Sequence, residues 1–351
     1  MSQTIATMNE SSTNTESETI TLASYLASYK GKTVLVTGGA GFIGSRLVNA
    51  LSQVSCRVVL LLRPGRTWES LGETESEIVT LSGDILDKQT WIKALASTDY
   101  VFHFAAQTSA YVANADPQAD LDANVTPLVR MLDACRADGV KPTIMFAGTA
   151  TQAGLQNETQ VNETAQDLPV TAYDINKLAG EKHLQRYTGE TGVPTVTLRL
   201  ANVYGPGTNV GSGDRGFLNL MVKNALNKAP LMIYGDGHNI RDYIFIDDVV
   251  SAFLAAGHSA SGVSGNYYVI GSGQGTSIVD AVNLVADRAE TRLGSRPEVK
   301  HIPAPEGLSP IEERDFIADS NLFSSTTGWA PKVSLANGID RTIDSLLSES
   351  R

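Results

Sequence analysis

From Lys32 onward, short apolar runs alternate with segments whose apolar residues recur at helical spacing. Thr33–Thr37 is the first run, and a glycine cluster follows it. Ile43, Leu47, Val48 and Leu51 then share one face of a predicted amphipathic helix. Further apolar runs stand at Val58–Leu62, Ile78–Leu81, Tyr100–Phe104 and Thr143–Ala147. Helical stretches separate most of them, notably one predicted over Asp120–Ala137. Unbroken apolar runs, rather than alternating ones, mark strands buried on both faces. Such strands alternating with helices predict an α/β fold built on a doubly wound parallel sheet.

After Ala201 the pattern loosens. Glycine- and proline-rich loops surround a predicted helix at Phe217–Lys228 and short strands at Leu231–Tyr234 and Tyr243–Ile246. Helices near Ile278–Arg292 and Leu335–Leu347 follow. We therefore expect a large domain over residues 23–201, with a return to it around 241–272, and a smaller, discontinuous substrate lobe within 202–351. Residues 1–22 are rich in Ser, Thr, Glu and Asn and read as a flexible tail, with neither the basic start nor the apolar stretch of a secretory signal.

Composition narrows the function. A chain of 351 residues, 42% hydrophobic, can bury a core without disulfides, so Cys56 and Cys135 are expected as buried thiols in a reducing, cytoplasmic setting. A net charge of −11 speaks against nucleic acid or an anionic membrane as partner. Any phosphate must then be held by local devices. No apolar run approaches the ~20 residues that cross a bilayer, and no metal is expected.

One such device is plain. Gly38-Gly39-Ala40-Gly41-Phe42-Ile43-Gly44 lies between the first strand and the first helix, where glycines let backbone N–H groups approach a pyrophosphate. That position makes the sheet a Rossmann-type, dinucleotide-binding one. An NAD site would carry a carboxylate about 20 residues further on. Here Leu62 is followed by Arg63 and, after Pro64 and Gly65, by Arg66, which suit the 2′-phosphate of NADP. Tyr173 and Lys177 lie four apart, on one face of a helix. An ammonium close to a tyrosine favours its phenolate, which could exchange a proton with a sugar hydroxyl as hydride leaves the same carbon. Thr149 follows a strand end, and its hydroxyl can both donate to and accept from the reacting oxygen. His103 is read as a packing residue.

These motifs together resemble the extended short-chain dehydrogenase/reductases, the NAD-dependent epimerase/dehydratase group that modifies nucleotide sugars. Gly83-Asp84-Ile85, His103-Phe104-Ala105-Ala106, Arg199 to Gly207, Tyr234 to Gly237, Arg241-Asp242-Tyr243 and Gly328 to Pro331 carry the resemblance as far as Leu347. It implies that Asp84, with Ile85 beside it, holds the adenine and that Ala105 and Ala106 line the dinucleotide. It also implies that Asn202 and Arg241 contact the diphosphate of a nucleotide-diphosphate sugar, with Arg314 as a second phosphate ligand. Family members dimerise through two helices, here Asp120–Ala137 and Tyr173–Thr191, so a homodimer is expected.

Three departures matter. Ala150-Thr151 stands where dehydratases carry Asp-Glu, so the acid and base for elimination are missing. Ala153 replaces a tyrosine, and Arg63 replaces the aspartate of NAD-bound epimerases. The expected function is a nucleotide-sugar epimerase, at C4, working through a transient ketosugar. The alternative is an NADPH-dependent reductase of a nucleotide-4-ketosugar. A non-catalytic nucleotide sensor stands further off, since such a protein would lose the Tyr–Lys pair or the glycine turn.

Overall fold

The computed structural model describes residues 21–68, 72–207 and 216–349. The tail expected over 1–22 lies outside the described residues except for Thr21 and Leu22; Thr21 caps the first helix.

Helix α1 (Leu22–Ala27) leads into β1 (Thr33–Thr37), α2 (Phe42–Leu51), β2 (Arg57–Leu62), β3 (Glu77–Ser82), α3 (Lys88–Leu95) and β4 (Tyr100–His103). Helices α4 (Ala110–Ala115), α5 (Pro117–Asn124) and α6 (Thr126–Asp138) precede β5 (Thr143–Thr149), β6 (Gln160–Val161), α7 (Ala172–Thr191) and β7 (Thr195–Leu200). Next come β8 (Asn202–Tyr204), α8 (Phe217–Leu226), β9 (Leu231–Tyr234), β10 (Ile240–Phe245), α9 (Ile246–His258), α10 (Ala260–Val263) and β11 (Asn266–Ile270). The chain closes with β12 (Gly275–Ser277), α11 (Ile278–Leu293), β13 (Val299–Ile302), β14 (Ile317–Ala318), α12 (Asn321–Thr327) and α13 (Leu335–Glu349).

Seven parallel strands form the main sheet in the order β11-β7-β5-β4-β1-β2-β3. The connections run one way from β1 and the other way from β4, so a crevice opens beyond the carboxyl ends of this pair, where ligands bind in such sheets. Val34 and Val36 pack into the core on one face, with Leu47, Val58 and Phe253, while Leu35 joins Trp91, Met131 and Phe146 on the other. Both faces are covered, as the unbroken apolar runs require. The smaller lobe holds the three-stranded sheet β12-β10-β8 and the pair β13-β9, packed around Leu218, Val222, Phe245, Val282 and Ile343.

Two elements depart from the sequence reading. The single helix expected over Asp120–Ala137 is two: α5 stops at Asn124 and α6 starts at Thr126. Pro127 has no N–H to continue a helix, and it sits in the first turn of α6, where none is needed. Ile246, read as a strand end, opens the buried helix α9 instead, with Asp247 and Asp248 in its first turn. Val249, Val250 and the run Ala252–Ala256 are all buried there, so apolar residues go round the whole helix rather than along one stripe.

One polar assembly lies inside the core. Arg199, on β7, is 2% exposed and grips the fully buried Glu181 of α7 with two parallel bonds of 2.8 and 2.7 Å. Asp167 pairs with the same guanidinium at 2.7 Å, and the Tyr267 ring lies 3.6 Å beneath it. Removing one partner of a buried pair leaves an uncompensated charge. Glu181→Ala should therefore lower stability by ~3–5 kcal/mol, seen as a large fall in the thermal midpoint. Glu77→Ala breaks the half-exposed 3.7 Å pair with Arg57 and should cost no more than ~1 kcal/mol. Equal losses in the two variants would contradict this.

Candidate active site

The glycine turn fills the crevice between β1 and β4. Gly38 has φ +69°, and a Cβ there would stand 2.7 Å from the Ala105 nitrogen. A Cβ on Gly44 would meet the Gly38 carbonyl oxygen at 2.2 Å. The first glycine thus lets the turn run against the end of β4, and the last lets α2 pack onto the turn. Gly41 is the N-cap of α2, and no side chain caps the helix. Its first N–H groups, at Phe42 and Ile43, and the positive end of its dipole are left for an anion. Thr37 ties the two strands together: its hydroxyl lies 2.9 Å from His103 Nδ1 and accepts a 3.2 Å bond from the Ala105 N–H. Burial and the Lys177 charge push the His103 pKa down to about 3, so the ring between Trp91 and Phe146 is neutral packing.

Along the same edge, Arg63 and Arg66 are both exposed beyond β2 and close a turn in which the Arg66 N–H donates to the Arg63 carbonyl at 3.0 Å. Beside them is a cavity of about 220 Å³ lined by Leu62, Arg66, Thr67, Trp68, Thr80 and Ser82. Asp84 is exposed on the loop after β3, accepting the Leu86 N–H at 2.9 Å, and Ile85 accepts the Trp91 indole N–H at 2.7 Å through its carbonyl. Ala105 and Ala106 follow β4, half-buried. Gly38 to Gly44, Arg63, Asp84, Ile85, Ala105 and Ala106 therefore share one edge of the sheet.

Helix α7 carries Tyr173 and Lys177. Thr171 caps it, its hydroxyl accepting the Asp174 N–H while the Asp174 carboxylate accepts the Thr171 N–H at 3.0 Å. Lys177 is 3% exposed. Its ammonium donates to the Ala147 carbonyl at 2.9 Å and lies 4.6 Å from the Phe146 ring centre and 6.0 Å from that of Tyr173. Burial pushes the Lys177 pKa down to about 8, and the Asp120 charge opposes the fall. Asp120 is itself 1% exposed and accepts 2.8 Å bonds from Gln107, Asn124 and Asn176. None of these four was singled out from the sequence, although Asn176 adjoins Lys177 in the chain. Thr149 ends β5, and its N–H donates to Gln152 Oε1 at 2.8 Å. Gln152 in turn donates to Glu181 at 3.0 Å, so the Arg199 assembly fixes the turn after Thr149.

The smaller lobe supplies two guanidiniums. Arg241, on β10, is 3% exposed, and its terminal nitrogens donate to the carbonyls of Ile240 (3.1 Å), Glu312 (2.6 Å) and Arg314. Arg314 donates to the Ile311 carbonyl at 2.7 Å, while its buried Nε has no partner among the described residues. Burial and the neighbouring Arg241 charge push the Arg314 pKa down to about 10. Among the described residues the one carboxylate within 4 Å of Arg241 is that of Glu312, 3.8 Å away. Two adjacent cations so weakly compensated suit a doubly charged ligand, and the guanidinium fork matches phosphate geometry. Asn202, half-buried on β8, stands opposite Tyr243 of β10, two residues from Arg241.

The family model described as the NAD dependent epimerase/dehydratase family matches residues 34–271. The chain is 32% identical to a UDP-glucose 4-epimerase of Mycolicibacterium smegmatis, over 90% of this chain and 99% of that one. It also resembles the structure of UDP-glucose 4-epimerase from Thermotoga maritima with UDP-glucose (28% identity, TM-score 0.80, 91% of this chain and 100% of that one). A third likeness is to the Thermus thermophilus UDP-glucose 4-epimerase in complex with NAD (30% identity, TM-score 0.76, 90% and 99%). A sheet with a crevice at β1 and β4, a glycine turn in that crevice and a Tyr–Lys pair beside it agree with these likenesses: the chain is an enzyme of the NAD dependent epimerase/dehydratase family.

Proposed function

We propose that this enzyme inverts a carbinol centre, at C4, of a nucleotide-diphosphate sugar. The observation that carries the reading is the Tyr173–Lys177 pair, with the ammonium anchored on Ala147 and 6.0 Å from the phenol ring. Gly38 and Gly44 form a cradle that a Cβ would fill, and the uncapped start of α2 suits a pyrophosphate. Gly41, Phe42 and Ile43 would hold the phosphates, Ala105 and Ala106 would line the dinucleotide, and Asp84 with Ile85 would take its adenosine end. NAD or NADP, when bound there, accepts and returns a hydride.

The protein's own groups do the rest. Tyr173, kept acidic by the Lys177 ammonium, takes the proton of the sugar hydroxyl and later gives it back. Thr149 orients the reacting oxygen. Arg314 and Arg241 hold the diphosphate, with Asn202 on the neighbouring strand, so the sugar can turn while its anchor stays in place. Ala150 and Thr151, with no carboxyl, supply neither acid nor base for elimination of water. We further propose a homodimer formed through α5, α6 and α7, acting in the cytoplasm; no helix among the described residues is long and apolar enough to cross a membrane. A one-way, NADPH-dependent reduction of a nucleotide-4-ketosugar is the second reading, and the exposed Arg63, whose charge suits a 2′-phosphate, favours it.

Three outcomes are expected. Denaturing the freshly purified enzyme should release near-stoichiometric NAD, identified by mass spectrometry. An empty protein that takes up only added NADPH would transfer the proposal to the reductase. Tyr173→Phe should lower turnover of UDP-glucose to UDP-galactose by ~10²–10⁴-fold while leaving UDP-glucose binding within a few-fold; full retained turnover would remove Tyr173 from the chemistry. If the Lys177 ammonium keeps the phenolate available, activity should fall as pH rises through about 8, the value to which burial pushes this lysine. Asp120 raises that value, so Asp120→Asn should move the alkaline limb of the pH–rate profile to lower pH. A limb that stays put would show that Asp120 serves the fold alone.

A further inference from the structure

Phe42 belongs to both lobes at once. Its backbone opens α2, so its N–H is one of those left for an anion at the glycine turn. Its half-buried ring packs on the core of the smaller lobe. The contact with Gly207 is close: a Cβ there would stand 2.8 Å from Phe42 Cδ2 and 3.2 Å from Cε2. Gly207 does not adopt a positive φ, so it is the ring, and not the backbone, that bars a side chain at this position.

The segment that ends at Gly207 has little freedom to yield. Asn202 opens β8 beside Tyr243 of β10. Tyr204 is 1% exposed and donates to the Leu335 carbonyl at 3.2 Å, and its hydroxyl fills the space that a Cβ on Gly338 of α13 would need. The Gly205 N–H donates to Asn219 Oδ1 of α8 at 3.0 Å. Residues 202–207 are thus tied to β10, α13 and α8, and their far end rests on the Phe42 ring. One turn further along α2, Arg46 donates to Asp247 of α9 at 2.6 Å. Both of those side chains are partly exposed, and ion pairs of that kind contribute little. The packing of Phe42 is therefore the stronger link between α2 and the smaller lobe.

We infer that Phe42 is a positioning residue that couples the two ligand sites. A dinucleotide held by the first N–H groups of α2 fixes the ring, and the ring fixes the segment on which Asn202 stands. The inference rests on the nucleotide-sugar reading given above and adds to it a dependence of each ligand on the other. Such coupling is reciprocal, so a nucleotide in the smaller lobe must in turn tighten the hold on the dinucleotide. That dependence suits a cycle in which the hydride returns to the sugar it left. The dinucleotide is held hardest while the ketosugar is in the site, and the reducing equivalent is not lost.

The test uses the full-length protein holding radiolabelled NAD or NADP, whichever it retains. Release is followed after a chase with excess unlabelled dinucleotide, with and without UDP at a concentration shown by calorimetry to saturate each variant. UDP should slow release from the parent by about tenfold. Phe42→Ala keeps the N–H and removes the ring, so UDP should slow its release by less than about twofold. Gly207→Ala leaves the glycine turn untouched: release without UDP should match the parent, while the protection by UDP falls. That variant separates lost coupling from a damaged turn. Equal protection in Phe42→Ala and the parent, or protection lost in Arg46→Ala alone, would overturn the inference and leave the nucleotide-sugar reading standing. So would a parent that binds UDP with no change in release. Failure of the parent to bind UDP or to hold a dinucleotide would instead overturn that reading, and this inference with it.

Discussion

The buried contact between Arg199 and Glu181 is the constraint on which the reactive end of the molecule depends. Two charges out of water repay their desolvation only in good geometry with their remaining hydrogen-bonding capacity filled. Here the fork of Arg199 meets both oxygens of Glu181, and Asp167 takes the nitrogen left over. Gln152, which is fully buried, then uses Glu181 as its acceptor and holds the Thr149 N–H with its own oxygen. Strand β7, helix α7 and the turn after β5 are thereby locked in one arrangement. Gly148 belongs to the same constraint, since a Cβ there would stand 2.7 Å from Gln152 Oε1. The three groups proposed to act on the sugar thus inherit their positions from side chains that never reach it.

A second constraint is electrostatic. The chain carries a net charge of −11, so a diphosphate meets no general attraction at its surface. The affinity has to be local, and the two devices proposed for it differ in kind. At the start of α2 it would come from backbone N–H groups and the helix dipole, which carry no formal charge. In the smaller lobe it would come from Arg241 and Arg314, whose mutual repulsion is a reason for that site to favour a dianion. The nitrogens of Arg241 are already engaged with the carbonyls of residues 240, 312 and 314. This arginine therefore shapes the segment that carries Arg314, and Arg314 retains a nitrogen with no partner among the described residues.

What could be read in the sequence follows from how each feature is encoded. Five of the seven main-sheet strands, β1 to β5, were legible from their apolar runs, whereas β7, interrupted by threonines and Arg199, and β11, which opens on Asn266 and two tyrosines, were not picked out. The glycine turn and the Tyr–Lys spacing were legible because their chemistry is written in neighbouring residues. Asp120, Glu181, Gln152 and Arg199 were not, because most of their partners are distant in the chain: Gln107 and Asn176 lie 13 and 56 residues from Asp120, and Arg199 and Gln152 lie 18 and 29 residues from Glu181. Polar letters on an amphipathic helix read as solvent-facing until the fold buries them. Helix α9 escaped notice for the opposite reason: it is apolar all round, so no stripe betrays its period. The break in α5–α6 was written plainly in Pro127 but was overridden by the helical spacing on either side.

Arg63 bears on the choice of cofactor and not on the direction of the chemistry. It is exposed at the end of β2 and, in the proposed site, would influence only which dinucleotide is held. Even a clear preference for a 2′-phosphate would not make the chemistry one-way, since direction depends on whether the reduced cofactor is retained or exchanged.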